Sequence, residues 1–233
     1  MPRNERRKIL LELYETLGRA FGPMRWWPAA TDSSFPHGSA ATPFEVCIGA
    51  ILTQNAPWLG VVKAIRNLKE SGLFGVEEID RADERVLAET IRPAIYRNQK
   101  ARRLKGFCRF LLDMHEGRVE HMIRLETAEA RRQLLALDGV GFETADSMLL
   151  YALGMPVFVV DAYTKRVLVR HRLADVRWGY EEIRSSFERV LDPDPVVWNE
   201  FHALLCRLGA GFCGRKPNCM CCPAGGVLGV PYL

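Results

Sequence analysis

The chain has 233 residues, 48% hydrophobic and 26% charged, a balance that excludes a disordered polymer and leaves room for one sizeable core or two small ones. Its formal net charge of +4 singles out no class of partner on its own. Seven cysteines in a chain whose amino-terminal segment reads as basic and then amphipathic, rather than as a signal peptide, argue against a disulfide framework and for a cytoplasmic location.

Apolar residues recur at helical spacing almost from the start: Ile9, Leu10, Leu13 and Leu17, then Phe44, Ile48, Ile51 and Leu52, then Val61, Val62, Ile65 and Leu68. Between the first two sets, Pro28 to Pro43 is made of small, polar and turn-forming residues and reads as an exposed loop. Further helices are expected over 104–114, 128–137, 144–153, 162–171, 180–191 and 195–208. No alternating run suggests a strand, so the class is all-α. The longest apolar run, Met148 to Val160, has 13 residues and contains Gly154 and Pro156, too short for a bilayer, so no membrane association is expected.

Charge is distributed unevenly. From Ile91 to Leu112 there are seven basic residues (Arg92, Arg97, Lys100, Arg102, Arg103, Lys105 and Arg109) and no acidic one, which suits either a polyanion or a solvated helix face. The stretch LLALDGVGFETADSMLLYAL then places a tight turn, with Gly139, Val140 and Gly141, between two helices. Glycines there allow close approach of a phosphate to the backbone, and the first amides of the next helix, at Glu143 and Thr144, add unpaired donors and a positive dipole end. About twenty residues on, VFVVDAYTKR puts Asp161 at the end of an apolar run and the start of a helix, where on its own it reads first as an N-cap and second as a reactive carboxylate.

Taken together, LDGVGFETAD and VVDAYTKR, with ILTQN at Ile51–Asn55 and the basic YRNQKARRL at Tyr96–Leu104, resemble the endonuclease III superfamily of DNA glycosylases, over roughly Phe44 to Cys222. The resemblance implies a base-excision-repair enzyme acting as a monomer on double-stranded DNA that contains a damaged base. In such an enzyme Asp161 stabilises the positive charge developing on the sugar and helps position or activate water. Gly139, Val140, Gly141, Thr144 and Lys100 would meet the DNA backbone. Gln54 and Asn55 resemble family residues near the gap left by an extruded base, and equally suit a helix C-cap. Lyase members carry a Lys where this chain has Glu143, and a carboxylate cannot form a Schiff base, so a monofunctional glycosylase is expected. Trp26-Trp27-Pro28 resembles 3-methyladenine glycosylases of this type, implying an aromatic pocket for an alkylated purine; the two tryptophans also suit core anchoring. Alternatives are a pyrimidine-damage or mismatch glycosylase and a non-catalytic helix-hairpin-helix protein.

Five cysteines crowd into 206–222. In many family members four cysteines there hold a [4Fe-4S] cluster with C-x6-C-x2-C-x5-C spacing. Here Cys213, Cys219 and Cys222 match three positions, the first gap being one residue short, and Leu228 stands where the fourth cysteine belongs. Cys206 is the first candidate for the missing ligand and Cys221 the second; zinc or an empty, decayed site are the other readings of the cluster. The expected architecture is two helical lobes, a central one over 42–155 with the hairpin and a second made of 1–41 plus 156–233 with the cysteine loop, with Asp161 at their junction.

Overall fold

The structure, a computed structural model, describes residues 2–27 and 41–229; Pro28 lies outside them. In chain order the helices are α1 (Arg3–Phe21), α2 (Pro43–Thr53), α3 (Trp58–Glu70), α4 (Val76–Arg81), α5 (Glu84–Thr90), α6 (Arg97–His115), α7 (Thr127–Leu135), α8 (Phe142–Ser147), α9 (Ala162–Arg170), α10 (Tyr180–Glu188), α11 (Pro195–Gly211) and α12 (Gly225–Leu228), with 3-10 turns at Arg92–Ala94, Val119–Arg124 and Cys219–Cys221. No strand occurs among the described residues, and no helix there is long and apolar enough to cross a membrane. Two compact units divide the chain: Met1–Trp26 with Pro156–Leu233, and Trp27–Met155.

In the unit of 27–155, α2 is the central element. Thr42 caps it by accepting from the Glu45 amide at 3.2 Å, Pro43 fits its first turn, and every residue from Glu45 to Leu52 is buried. Burial of so continuous a run needs a neighbour on each side, and α3, α6 and α8 with its extension all pack on it. Gly60 lets α3 reach the Arg92–Ala94 turn, where a Cβ would come within 2.3 Å of the Pro93 carbonyl. After α8 the chain continues as a π-type turn over Met148–Ala152, a widened helix rather than the single α-helix expected over 144–153.

The basic stretch is corrected by the structure. Helix α6 begins at Arg97, not Leu104, and its cations meet partners on the short acidic helices α4 and α5, which periodicity alone did not suggest. Arg97 pairs with Glu89 at 2.8 Å, Arg102 with Glu84 at 2.9 Å and Arg109 with Asp80 at 2.8 Å. Lys105 donates to the Ala82 carbonyl at the end of α4, at 2.6 Å. Lys100 is 1% exposed, with its ammonium donating to Leu52 O at 2.8 Å and Ala94 O at 2.5 Å. It therefore has no access to a phosphate. Instead it joins the end of α2 to a strained turn, since Ile95 and Tyr96 both have left-handed φ, 47° and 49°, a conformation that costs about 1–3 kcal/mol each in non-glycine residues.

The other unit joins the two ends of the chain. Leu10, Leu13 and Leu17 of α1 are fully buried, at the i, i+3, i+7 spacing of one helix face. Tyr14 meets Phe201 edge-on at 5.4 Å, and Arg6 donates to Ser186 at 2.8 Å. The core is aromatic: Phe158 stacks on Phe187 at 4.1 Å and meets Trp198 and Phe201 edge-on. Each such ring contributes about 1.5–3 kcal/mol through removal of its surface from water. Helices α9 and α11 touch at Gly209, where a Cβ would lie 2.5 Å from the Tyr163 Cβ.

Candidate active site

Asp161 owes its position to the apolar residues before it. Val157 to Val160 are all buried in a segment without regular structure, so its amides need side-chain acceptors: Phe158 N donates to Glu188 at 2.9 Å and Val160 N to the Tyr180 hydroxyl at 3.4 Å. The chain then turns into α9 with Asp161 as N-cap, one carboxylate oxygen accepting from the Thr164 amide at 2.7 Å. The cap and the carboxylate readings thus coexist in one side chain, because the second oxygen points elsewhere.

That second oxygen accepts from the Cys206 thiol at 3.3 Å. Cys206 and His202 lie one turn apart on α11, and the Gly209–Tyr163 contact brings this helix against α9. His202 Nε2 is 3.5 Å from the Cys206 sulfur and 3.8 Å from the first carboxylate oxygen. Burial pushes the His202 pKa down and the Asp161 charge only partly opposes it, so the ring is neutral at pH 7. The Asp161 side chain is 13% exposed. It is a nearly dehydrated carboxylate held by an amide and a thiol, which is the environment in which a fixed negative charge acts strongly. The ligand atoms of Asp161, His202 and Cys206 lie within 4.8 Å of one another, close enough to share one divalent ion. The assignment of Cys206 to the cysteine cluster is therefore corrected: its sulfur faces Asp161. The i, i+4 pattern His202-x3-Cys206 was visible in the sequence, but its carboxylate partner is 41 residues or more away along the chain and only the helix packing reveals it.

Trp26 belongs to the same unit, with its ring 6.4 Å from that of His202. Trp27 belongs to the other, where it meets Trp58 and Tyr151 edge-on at 5.3 and 5.6 Å and covers Gly49 so closely that a Cβ there would lie 3.1 Å from its ring. Both rings are half-buried. Trp58 and Tyr151 were missed in the sequence because each sits alone in an otherwise aliphatic helical pattern.

The hairpin of α7 and α8 is built around Gly139, whose φ of +73° requires glycine; a Cβ there would also strike the Arg103 side chain. Gly141 has an ordinary extended backbone with open space before it, so the expected need for glycine holds at the first position only. Gln54 bridges the turn: its amide nitrogen donates to Gly139 O and to Thr144 Oγ1, both at 2.9 Å, and its amide oxygen accepts from Arg103. Gln54 and the Thr144 hydroxyl are thus internal struts. Asn55 is exposed with φ of 50°, just beyond the end of α2. Val140 is buried, while Glu143 is exposed in the first turn of α8. Arg131 and the fully buried Asp146 close the hairpin with two hydrogen bonds, 2.6 and 3.1 Å.

At the far end of α9, Arg166 and Arg170 gather the cysteine loop. Arg166 donates to Cys213 O at 2.6 Å, and Arg170 to Gly214 O at 2.7 Å and to the Cys213 sulfur at 3.3 Å. Cys213, Cys219 and Cys222 line one pocket; Cys221 and Cys206 do not line it. His171 lines it too, its Nδ1 3.2 Å from Leu228 O, and burial pushes its pKa down.

A helical hairpin closed by Gly139, followed by an aspartate capping the next long helix, defines a base-excision glycosylase fold, and the chain belongs to the HhH-GPD superfamily of base excision DNA repair proteins, whose model matches residues 48–193. The endonuclease III branch is apparent in the relatives. A Methanocaldococcus jannaschii protein named as a candidate DNA repair glycosylase is 40% identical over 93% of this chain and 94% of its own, and endonuclease III of Escherichia coli is 30% identical over 78% and 81%. Among solved structures, H. pylori 3-methyladenine DNA glycosylase bound to 1,N6-ethenoadenine is 25% identical with a TM-score of 0.71, covering 88% of this chain and 97% of that one. A trapped endonuclease III–DNA covalent intermediate shares the fold, at 21% identity and a TM-score of 0.78 over 97% and 95% of the two chains.

Proposed function

We propose that this glycosylase hydrolyses the N-glycosidic bond of an alkylated purine in double-stranded DNA, as a monomer in the cytoplasm, and leaves the strand uncut. The observation that carries the reading is the Asp161 carboxylate, fixed by the Thr164 amide and the Cys206 thiol and only 13% exposed. Loss of the base leaves the sugar oxocarbenium-like, and an oriented anion in a water-poor setting stabilises that charge without reorganising. The neutral His202 leaves this anion uncancelled. Asp161 also stands where it can orient the water that completes hydrolysis. The hairpin unit, Trp27–Met155 rather than the 42–155 expected, grips the backbone through Gly139, Gly141 and the first amides of α8; the unit of Met1–Trp26 and Pro156–Leu233 brings the carboxylate. Trp26 and Trp27 supply stacking faces for the extruded base, and Asn55 stands near the gap.

Glu143 in place of a lyase lysine supports the monofunctional reading, since a carboxylate forms no Schiff base with the opened sugar. The 25% identity to a 3-methyladenine glycosylase supports the purine. A second reading, a pyrimidine-damage or mismatch glycosylase, is favoured by the 30% identity to endonuclease III. Single-turnover base release from duplexes carrying 3-methyladenine, thymine glycol or a T·G mismatch separates the two. Asp161→Asn is expected to keep duplex binding and to lose base release by about a hundredfold or more. Undiminished release in that variant sinks the mechanism, and release from no lesion at all leaves a DNA-binding protein.

The cysteine loop fits the [4Fe-4S] cluster that the family resemblance implies: three thiols line one pocket, and a guanidinium donates to one of them. When bound, the cluster cross-links the loop and fixes Arg215 and Lys216 at the surface, a structural contribution.

A further inference from the structure

We propose that His171 is the fourth ligand of the cluster, taking the place that Leu228 leaves without a thiol; the inference rests on the [4Fe-4S] reading above. Three thiols and one imidazole, from Cys213, Cys219, Cys222 and His171, line the same pocket, and its remaining lining is largely apolar. The other two cysteines of the segment are absent from it. Cys206 faces Asp161 from α11, and Cys221, on the same exposed 3-10 turn as Cys219, does not line the pocket as Cys219 does.

The imidazole is also oriented as ligands are. Histidines that bind metals through one ring nitrogen hold the other against a carbonyl or carboxylate, which fixes tautomer and ring plane. Nδ1 of His171 donates to the Leu228 carbonyl at 3.2 Å, which leaves Nε2 as the nitrogen with a lone pair. The backbone of the very residue that lacks the family thiol thus presents the replacement. Placement is firm: His171 directly follows α9, whose Arg170 and Arg166 hold Cys213 and Gly214.

The spread of these donors suits a cluster better than a single ion. Tetrahedral zinc holds its ligand atoms about 3.3–3.8 Å apart, from bonds of about 2.0–2.3 Å. Among the described residues only Asp161, His202 and Cys206 form a group that tight. No three of the loop donors lie within 4.8 Å of one another, so they do not converge on one ion.

The test uses the full chain, purified without oxygen and reconstituted with ferrous iron and sulfide, with and without 15N-histidine labelling. Wild type is expected to carry about four irons, and its reduced cluster to show a nitrogen coupling in pulsed EPR that changes with the label. His171→Ala should lose the coupling and drop to about three irons or fewer, and His171→Cys should keep the full iron content without the coupling. Cys221→Ser should match wild type throughout. Full iron in His171→Ala with no nitrogen coupling in wild type overturns the ligand assignment alone, as does loss of the cluster in Cys221→Ser. A wild-type chain that takes up no iron, or purifies with one zinc in the loop, removes the cluster reading and this inference together.

Discussion

Lys100 has the chemistry of a phosphate contact and the position of a core strut. Replacing it with methionine keeps the stem but leaves the carbonyls of Leu52 and Ala94 without their donor, and should lower stability by about 1–3 kcal/mol in chemical denaturation. Burial holds its pKa down to about 8, against 10.5 unfolded. Between these values the unfolded chain binds the proton and the folded chain releases it, so wild-type stability should rise relative to Lys100→Met as pH climbs from 8 to 10.5. A difference that stays flat over that range would show the amine to be charged throughout. The sequence made Lys100, Arg97 and Arg102 look like one basic field because it shows charge along the chain and not across it; the acidic partners of Arg97 and Arg102 precede them by 8 and 18 residues, and Lys100 meets backbone carbonyls instead. Asp161 was legible because its cap position depends only on neighbours within three residues. Cys206 was not, since the contact that assigns it is made by two helices meeting at Gly209.

That meeting is a property of elements. Gly209→Ala places a methyl against Tyr163 and must push α9 from α11, so the Cys206–Asp161 hydrogen bond should break. Base release is expected to fall further than the modest stability loss of about 1–3 kcal/mol typical of overpacking; a variant with normal turnover would show the thiol contact to be dispensable. The hairpin gives a second case. Asp146→Ala removes both hydrogen bonds that the Arg131 guanidinium, 15% exposed, donates to it, and should cost about 3–5 kcal/mol, as buried pairs do when one partner is removed. Hydrogen exchange should then quicken across α7 and α8 before the rest of the unit. Long helices, such as α1 with its apolar stripe and α11 with its longer buried run, could be read from the apolar pattern. The six- and seven-residue helices α4 and α5 could not, because two buried side chains each make no pattern.

Across the whole molecule, one unit is discontinuous in sequence, with α1 completing a core otherwise made from residues 156–229. Leu13→Ala should therefore cost about 2–5 kcal/mol and reduce Asp161-dependent activity by lowering the folded fraction, although it lies nearly 150 positions from that residue. The nine-residue α9 has metal-binding groups at both ends: Asp161, which meets Cys206 and His202, and His171 beside the loop thiols. Excess zinc offered to the loop thus reaches a second trap. One sulfur, one imidazole nitrogen and one carboxylate oxygen lie within 4.8 Å of one another there, close enough for a single zinc ion to gather them. Micromolar zinc should poison the enzyme reversibly, a chelator should revive it, and Cys206→Val should tolerate far more of the metal than wild type. Equal sensitivity of the two proteins would place the poisoning elsewhere.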